Sequence, residues 1–417
     1  MDDGAILLVF ICQRVFAKEA RNVLIIRTYQ YLFSRFTSIP QCLVSRKSKM
    51  RISPDRRSSM QLTRRNALKT FGTVAAASVL GAPTVLRAED SAVLTVSTWG
   101  GITEDSIRKY VQPGFEKLTG ATLAFDIGGQ GARYNKLLAQ RANPPADVFF
   151  STDEAVVTGT RAGVLTPATK KNLPNFADLQ PWANTLKSDD DAHVGGVPYS
   201  LIACALAYNP ELVKTAPTSW EDLWKPEFAG KIDFASPVNS LMPAFVIMAA
   251  ELAGGSATNV DPGFAKLATL KPAKLSVFWT DWAPLNKTGD VLVATEFDYY
   301  LEAMKDQKYA IDYVYPKEKA IASLEYASVV KGTKKQDLAE AFLNLLIDPK
   351  VQEGVAEQTY QGPTNAKANL SEKIAARCAY GPRVQQLRFF DPVVFADNRP
   401  AWTERLNLEV VPAWGAR

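Results

Sequence analysis

The sequence predicts an α/β protein built on mostly parallel central sheets and divided into two domains. Three observations carry this reading. From Val93 to Asp153, short apolar runs alternate with segments of helical spacing, the βαβαβ order that gives a parallel sheet with helices on both faces. The apolar share is 47%, enough to fill a large core. With an N-terminal presequence set aside, 329 residues remain, a size at which one core divides into two.

The elements follow in order. Val93 to Thr98 reads as a buried strand that ends at Trp99-Gly100-Gly101. Ile107, Tyr110, Val111, Phe115 and Leu118 mark a helix over 102–119, stopped by Gly120 in the position that favours a left-handed cap. A second strand, 121–127, leads to Gly128-Gly129-Gln130-Gly131 and a helix with Tyr134, Leu137 and Leu138 on one face. Asp147 to Phe150 is a third strand, ending at Ser151-Thr152-Asp153. Ligands of such sheets sit beyond the carboxyl ends of the strands, so Trp99, Gly129 to Gly131 and Ser151 to Asp153 share one rim. Further on, Leu201 to Tyr208 is an apolar run and Thr218 to Leu223 a capped helix start. Strands are expected at 231–235, 275–278 and 291–294, and a helix from Ser236 to Ala250. Two more β-prone runs, 312–315 and 324–330, precede an amphipathic helix marked by Leu338, Ala341, Phe342, Leu345 and Leu346.

Residues 63–88 read as an export signal. Arg64-Arg65 precedes a short apolar stretch, Phe71 to Leu86, and Arg87-Ala88 closes it. The pattern resembles a twin-arginine secretory signal, with Ala67 where such signals usually carry Phe. The stretch is interrupted by Pro83 and is shorter than the roughly 20 apolar residues a spanning helix needs. Residues 1–59 read as an upstream extension outside the working protein, and 60–88 as the signal peptide. Residues 1–88 hold 15 of the 48 Lys and Arg and 4 of the 43 Asp and Glu. Without them the chain carries 33 basic and 39 acidic residues, and the formal charge turns from +5 to −6. No nucleic-acid face is expected on that chain.

Recognisable catalytic motifs are absent. His193 is the one histidine, and no phosphate-cradling, zinc-binding or nucleophile-elbow pattern occurs. Cys204 and Cys378 are the two cysteines after the presequence; pairing and two buried thiols both stand open. An exported two-domain α/β chain of this kind is expected to bind rather than to catalyse, with an exported enzyme as the reading from a different class. No cofactor is expected.

The segment Thr218-Ser219-Trp220-Glu221-Asp222-Leu223-Trp224-Lys225-Pro226-Glu227-Phe228-Ala229-Gly230-Lys231 resembles one of periplasmic spermidine/putrescine-binding proteins. So do Asp312 to Glu318 and Pro349 to Asn365. The wider group is the extracellular solute-binding proteins of ABC importers. The resemblance implies a two-lobed periplasmic-binding-protein fold of type II, closing on its ligand about a hinge. It implies a first lobe of 91–203 plus 323–365 and a second of 204–322 plus 366–417, with crossings near 200–205 and 320–325. It also implies a periplasmic monomer that delivers its small-molecule ligand to an inner-membrane permease driven by an ATPase subunit.

The same resemblance implies site residues. Trp99, Phe297 and Tyr360 match family aromatics, Glu325 matches an acid that grips an amine, and Ser151 and Asp153 match a Ser and a Tyr. Asp298 joins them as an acid beside Phe297. A departure stands at Ser236-Pro237-Val238-Asn239-Ser240, where polyamine binders place acids. Ser236 and Asn239 at a helix start either cap it or favour an anion. The site would then suit a small molecule with an amine at one end and a carboxylate or phosphonate at the other. Tyr299-Tyr300 also resembles the tyrosine pair of ferric-ion-binding proteins, in which phenolates hold Fe³⁺, with Asp298, Glu296 or Asp153 as further donors.

Overall fold

Residues 92–415, apart from 185, 187–189 and 278, are described by the structure, a computed structural model. The presequence readings therefore lie outside the described residues.

One curled, mixed sheet organises the chain. Its main strands are β1 (Val93–Thr98), β2 (Thr122–Ile127), β3 (Val148–Thr152), β4 (Val197–Tyr208), β5 (Ile232–Ala235), β6 (Pro272–Ser276), β7 (Val293–Phe297), β8 (Asp312–Val314) and β9 (Ala320–Val330). They lie in the order β2-β1-β3-β9-β4-β7-β5-β6, with β8 beside β4. On one flank β1 runs parallel to β2 and β3. On the other β5 runs parallel to β6 and β7. The centre is antiparallel: β9 against β3 and β4, and β4 against β7. β4 and β9, 12 and 11 residues long, therefore pass in opposite directions between two parallel flanks. All of β4 except Tyr208 is buried, which is why it reads as a continuous apolar run rather than an alternation.

Each flank is covered on both faces. Successive strand residues point to opposite sides, so Phe150 packs with Phe115, Tyr199 and Phe342, while Phe149 packs with Leu137, Leu201 and Tyr326. On the other flank Phe234 and Phe245 join Trp220 and Trp414, and Ala294 joins Trp282 and Leu301 on the reverse face.

The first helix, α1, runs over 102–119 with one π-helical segment at Ile107–Val111. It stops at Gly120, left-handed at φ 71, where a Cβ would be strained. Then come α2 (Gln130–Ala139), α3 (Asp153–Arg161), α4 (Met242–Leu252), α5 (Asp298–Asp306), α6 (Gln336–Leu346), α7 (Pro349–Thr359) and α8 (Pro392–Arg405). In α6, Ala339, Phe342, Leu343 and Leu346 form the buried stripe.

Several expectations change. Leu118 is 64% exposed, because α1 turns its last apolar position to solvent. The capped start at Ser219 is present, with Asp222 completing the capping box, but only the 3-10 turn Trp220–Trp224 follows. Lys225-Pro226 ends it, since the residue before a proline is pushed out of helical conformation. The helix expected from Ser236 begins at Met242. The Asn239 side chain accepts from Leu241 N, holding 236–240 as a separate turn. The strand expected over 275–278 ends at Ser276, and position 278 lies outside the described residues.

The tail touches both flanks. Ala379 and Leu387 pack with Leu201 and Tyr326, whereas Trp402, Leu406 and Trp414 pack with Phe234 and Phe245. Cys204 and Cys378 are buried free thiols in separate clusters.

Candidate functional site

The parallel strands of the first flank bring their carboxyl ends together at Trp99, Gly128 and Ser151. Arg133, on the first turns of α2, ties these ends to one another. Its Nε donates to Gly128 O (2.8 Å), and its Nη1 donates to Ser97 O and Phe150 O (2.9 Å each). Its guanidinium lies 5.0 Å from the Trp99 ring centre and 4.9 Å from that of Phe149. Thr152 N donates to Gln130 Oε1 (3.0 Å), adding a second link between α2 and β3. Arg133 is 3% exposed, and burial brings its pKa down to about 10 against the pull of Tyr199 and Asp126.

Glu325 sits in the middle of the sheet, where β9 crosses beside β4, at a bulge between Glu325 and Tyr326. It is 7% exposed. Three neutral donors converge on its Oε2: Tyr199 Oη (2.8 Å), Ser200 Oγ (2.8 Å) and Gln361 Nε2 (3.0 Å). Among the described residues no Lys, Arg or His pairs with it. Burial raises its pKa, and the three donors oppose that rise. A buried carboxylate held only by neutral groups lacks a counter-charge.

The expected aromatics divide. Phe297 ends β7 half-buried, with its ring centre 6.2 Å from that of Tyr299. Tyr299 and Tyr300 stack at 4.0 Å. Burial raises both phenols, Tyr300 to about 12, and Glu325 contributes to each rise. These rings thus lie in the field of Glu325. No group of three or more His, Cys, Asp or Glu among the described residues could hold a metal.

Tyr360 goes to a different network. It ends α7 in the left-handed region at φ 62. Its Oη donates to Asp306 (2.5 Å) and accepts from Arg377 Nη1 (2.6 Å), with the Arg377 guanidinium 3.8 Å from its ring centre. The next residue, Gln361, is the one that reaches Glu325.

The remaining candidates are committed locally. Asp298 is fully buried. Its Oδ1 accepts from Ala203 N and Tyr299 N and its Oδ2 from Tyr315 Oη, so it anchors α5 to β4. Burial lifts it to about 6. Glu296 accepts from Trp282 Nε1 and Phe297 N, and burial lifts it to about 7. Asp153 begins α3 and accepts from Glu154 N; burial, then Glu154, lifts it to about 7. It lines a small cavity with Ser240, Ser323 and Phe395. Ser236 Oγ is buried without a partner. The carbonyl of Asn239 accepts from Arg399 Nη1 (3.1 Å), which leaves 236–240 an arginine-bound turn rather than an open helix end. His193 is paired with Asp190 at 2.9 Å and lies half-buried in a separate two-stranded ladder, opposite Thr169.

Three residues that matter here escape a reading of the sequence: Arg133, Tyr199 and Gln361. Arg133 has one local signal, its i,i+4 spacing from the buried Leu137. Tyr199 and Gln361 have none, because strand register alone brings them to Glu325.

A two-flanked α/β molecule with crossing strands and a buried, uncompensated carboxylate at the crossing is built as a two-lobed binding protein. The chain belongs to the bacterial extracellular solute-binding protein family, whose model matches residues 113–381. It is 26% identical over 270 residues to a Salmonella typhimurium periplasmic protein named for binding 2-aminoethylphosphonate, covering 62% of this chain and 74% of that one. It is 25% identical over 336 residues to a putrescine-binding periplasmic protein of Pseudomonas aeruginosa, covering 74% and 89%. Its fold matches a crystal structure of an ABC transporter protein from Clostridium perfringens with a TM-score of 0.64 and 26% identity, over 76% of this chain and 99% of that one. The role supported is that of a solute-binding protein of an ABC importer, working with a membrane permease and an ATPase. No helix among the described residues is long and apolar enough to cross a membrane.

Proposed function

We propose that the solute is a small amine-bearing molecule and that Glu325 seats its ammonium group. The observation that carries this reading is the lopsided solvation of Glu325: three neutral donors share Oε2, and no cation among the described residues pairs with the carboxylate. An ammonium beside Oε1 completes the charge balance, and the neighbouring rings of Phe297, Tyr299 and Tyr300 offer aromatic faces that suit a cation. The ligands for which two relatives are named, 2-aminoethylphosphonate and putrescine, have an aminoethyl group in common and differ at the other end.

Capture proceeds without chemistry. The first lobe is 91–203 plus 323–365, the second 204–322 plus 366–417, and β4 and β9 are the hinge about which they close. The protein is exported through residues 60–88 and works as a monomer in the periplasm.

The test is calorimetric titration of 2-aminoethylphosphonate, 4-aminobutyrate and putrescine into the wild type and Glu325→Gln. Removing one partner of a desolvated charge pair costs about 2–5 kcal/mol. The variant therefore binds every ligand the wild type binds at least about 30-fold more weakly. Unchanged affinity in Glu325→Gln overturns the assignment.

A further inference from the structure

We infer that Arg133 is a specificity-determining residue: it sets the charge of the ligand end that faces Trp99, accepting an oxyanion and rejecting a second ammonium. The inference rests on the amine reading of Glu325 and adds the other half of the ligand.

The first observation is a missing counter-charge. Arg133 is 3% exposed, yet it forms no ion pair with a carboxylate among the described residues. The one carboxylate whose field acts on it is Asp126, which is already held by Lys136 (2.6 Å) and by Ser97 Oγ (3.0 Å). The carbonyls of Ser97, Gly128 and Phe150 accept three N–H groups but carry no charge.

The second is a pair of orphaned polar atoms. Arg133 Nη2 and Ser151 Oγ are both buried without a partner. They share one face of the sheet. Ser97 is in register with Phe149, so Trp99 and Ser151, each two residues further on, lie side by side on the face that Arg133 covers. Buried polar atoms of native proteins are nearly always satisfied. A ligand oxyanion at the strand ends would supply both an acceptor and a negative charge.

The third is proximity of opposite charges. Tyr199 donates to Glu325, and its phenol also feels the Arg133 guanidinium. The anion and the cation meet at the carboxyl end of β3: Glu325 is in register with Thr152, and Arg133 holds the Phe150 carbonyl from the Phe149 face. A zwitterion with its amine at Glu325 and its acid at Trp99 neutralises both. A diamine of equal length places its second ammonium against the guanidinium, with the half-buried Trp99 ring already occupied on one side by a cation. Like charges at such range are strongly disfavoured away from water.

The experiment compares 4-aminobutyrate and 2-aminoethylphosphonate with 1,3-diaminopropane, by calorimetry, in wild type, Arg133→Gln, Arg133→Lys, Ser151→Ala and Glu325→Gln. The wild type prefers the zwitterions at least tenfold. Arg133→Gln narrows that ratio at least fivefold and improves diamine binding, and Arg133→Lys keeps the wild-type order. Wild-type preference for the diamine overturns the inference. So does an equal loss for both classes in Arg133→Gln, which would mean that Arg133 only holds Trp99 in place. If Arg133→Gln does not fold, Ser151→Ala decides: it must weaken the zwitterions more than the diamine, and an equal loss refutes the oxyanion site. Glu325→Gln separates the two proposals, because it weakens zwitterions and diamine alike if the amine seat is right and neither if it is wrong.

Discussion

Glu325, on β9, is held by residues from two other stretches of chain: Tyr199 and Ser200 on β4, and Gln361 beyond α7. An acid inside the apolar run Leu324 to Val330 is conspicuous in the sequence, because a carboxylate is rarely buried without a partner. Its surroundings are not, since they depend on the register of two antiparallel strands and on a bulge. Burial raises the Glu325 pKa, and this gives a pH prediction. The seat must be ionised to hold an ammonium, and the ligand amine stays protonated throughout. Affinity is therefore constant well above the Glu325 pKa, and falls as pH drops through that raised value. The loss begins at a higher pH than for an ordinary exposed glutamate. Titrations at pH 8, 7, 6, 5, 4 and 3.5 check this; a loss that begins only below pH 4 contradicts it.

Elements were legible where period and punctuation agreed. β1, β2 and β3, the left-handed stop at Gly120 and the α6 stripe all follow from residue spacing. The stretch 236–240 did not, although Ser236, Pro237 and Asn239 have the composition of a helix start. The turn there is settled by Arg399, a residue 160 positions away, whose Nη1 and Nη2 donate to the carbonyls of Asn239 and Ser240. The same guanidinium grips Glu154 on α3. Helix α8 thus fastens α3 to the turn before α4, a tertiary contact that no local pattern announces. Glu154 is 7% exposed, so Arg399→Met strands a buried carboxylate and costs about 3 kcal/mol. The double variant with Glu154→Gln recovers part of that loss. Urea unfolding of the wild type, both single variants and the double variant measures it, and additive losses would show that the pair is not coupled.

At the scale of the whole molecule, burial leaves Glu296 at about 7 and Asp298 at about 6. Both hold protons more tightly folded than unfolded. The folded chain consequently binds more protons between the ordinary carboxylate range and about pH 7, and stability falls as pH rises through that window. The unliganded protein should melt higher at pH 5 than at pH 8. Glu296→Gln should flatten the slope and gain at most about 3 kcal/mol at pH 8. A wild-type melting temperature that rises from pH 5 to pH 8 contradicts this. An α/β sheet was readable from the βαβαβ order, and the two-lobed plan from resemblance. The tail was less so: its apolar residues join both flanks, and no periodicity says which core an isolated Leu387 or Trp402 will enter.

The central claim is that one end of the solute is an ammonium seated on Glu325. A crystal structure of the protein with 2-aminoethylphosphonate or 4-aminobutyrate tests it most directly. The account predicts the ligand nitrogen at hydrogen-bond distance from Glu325 Oε1, with Tyr199, Ser200 and Gln361 still on Oε2. A bound ligand whose amine points to solvent or to another acid, with Glu325 untouched, would contradict it.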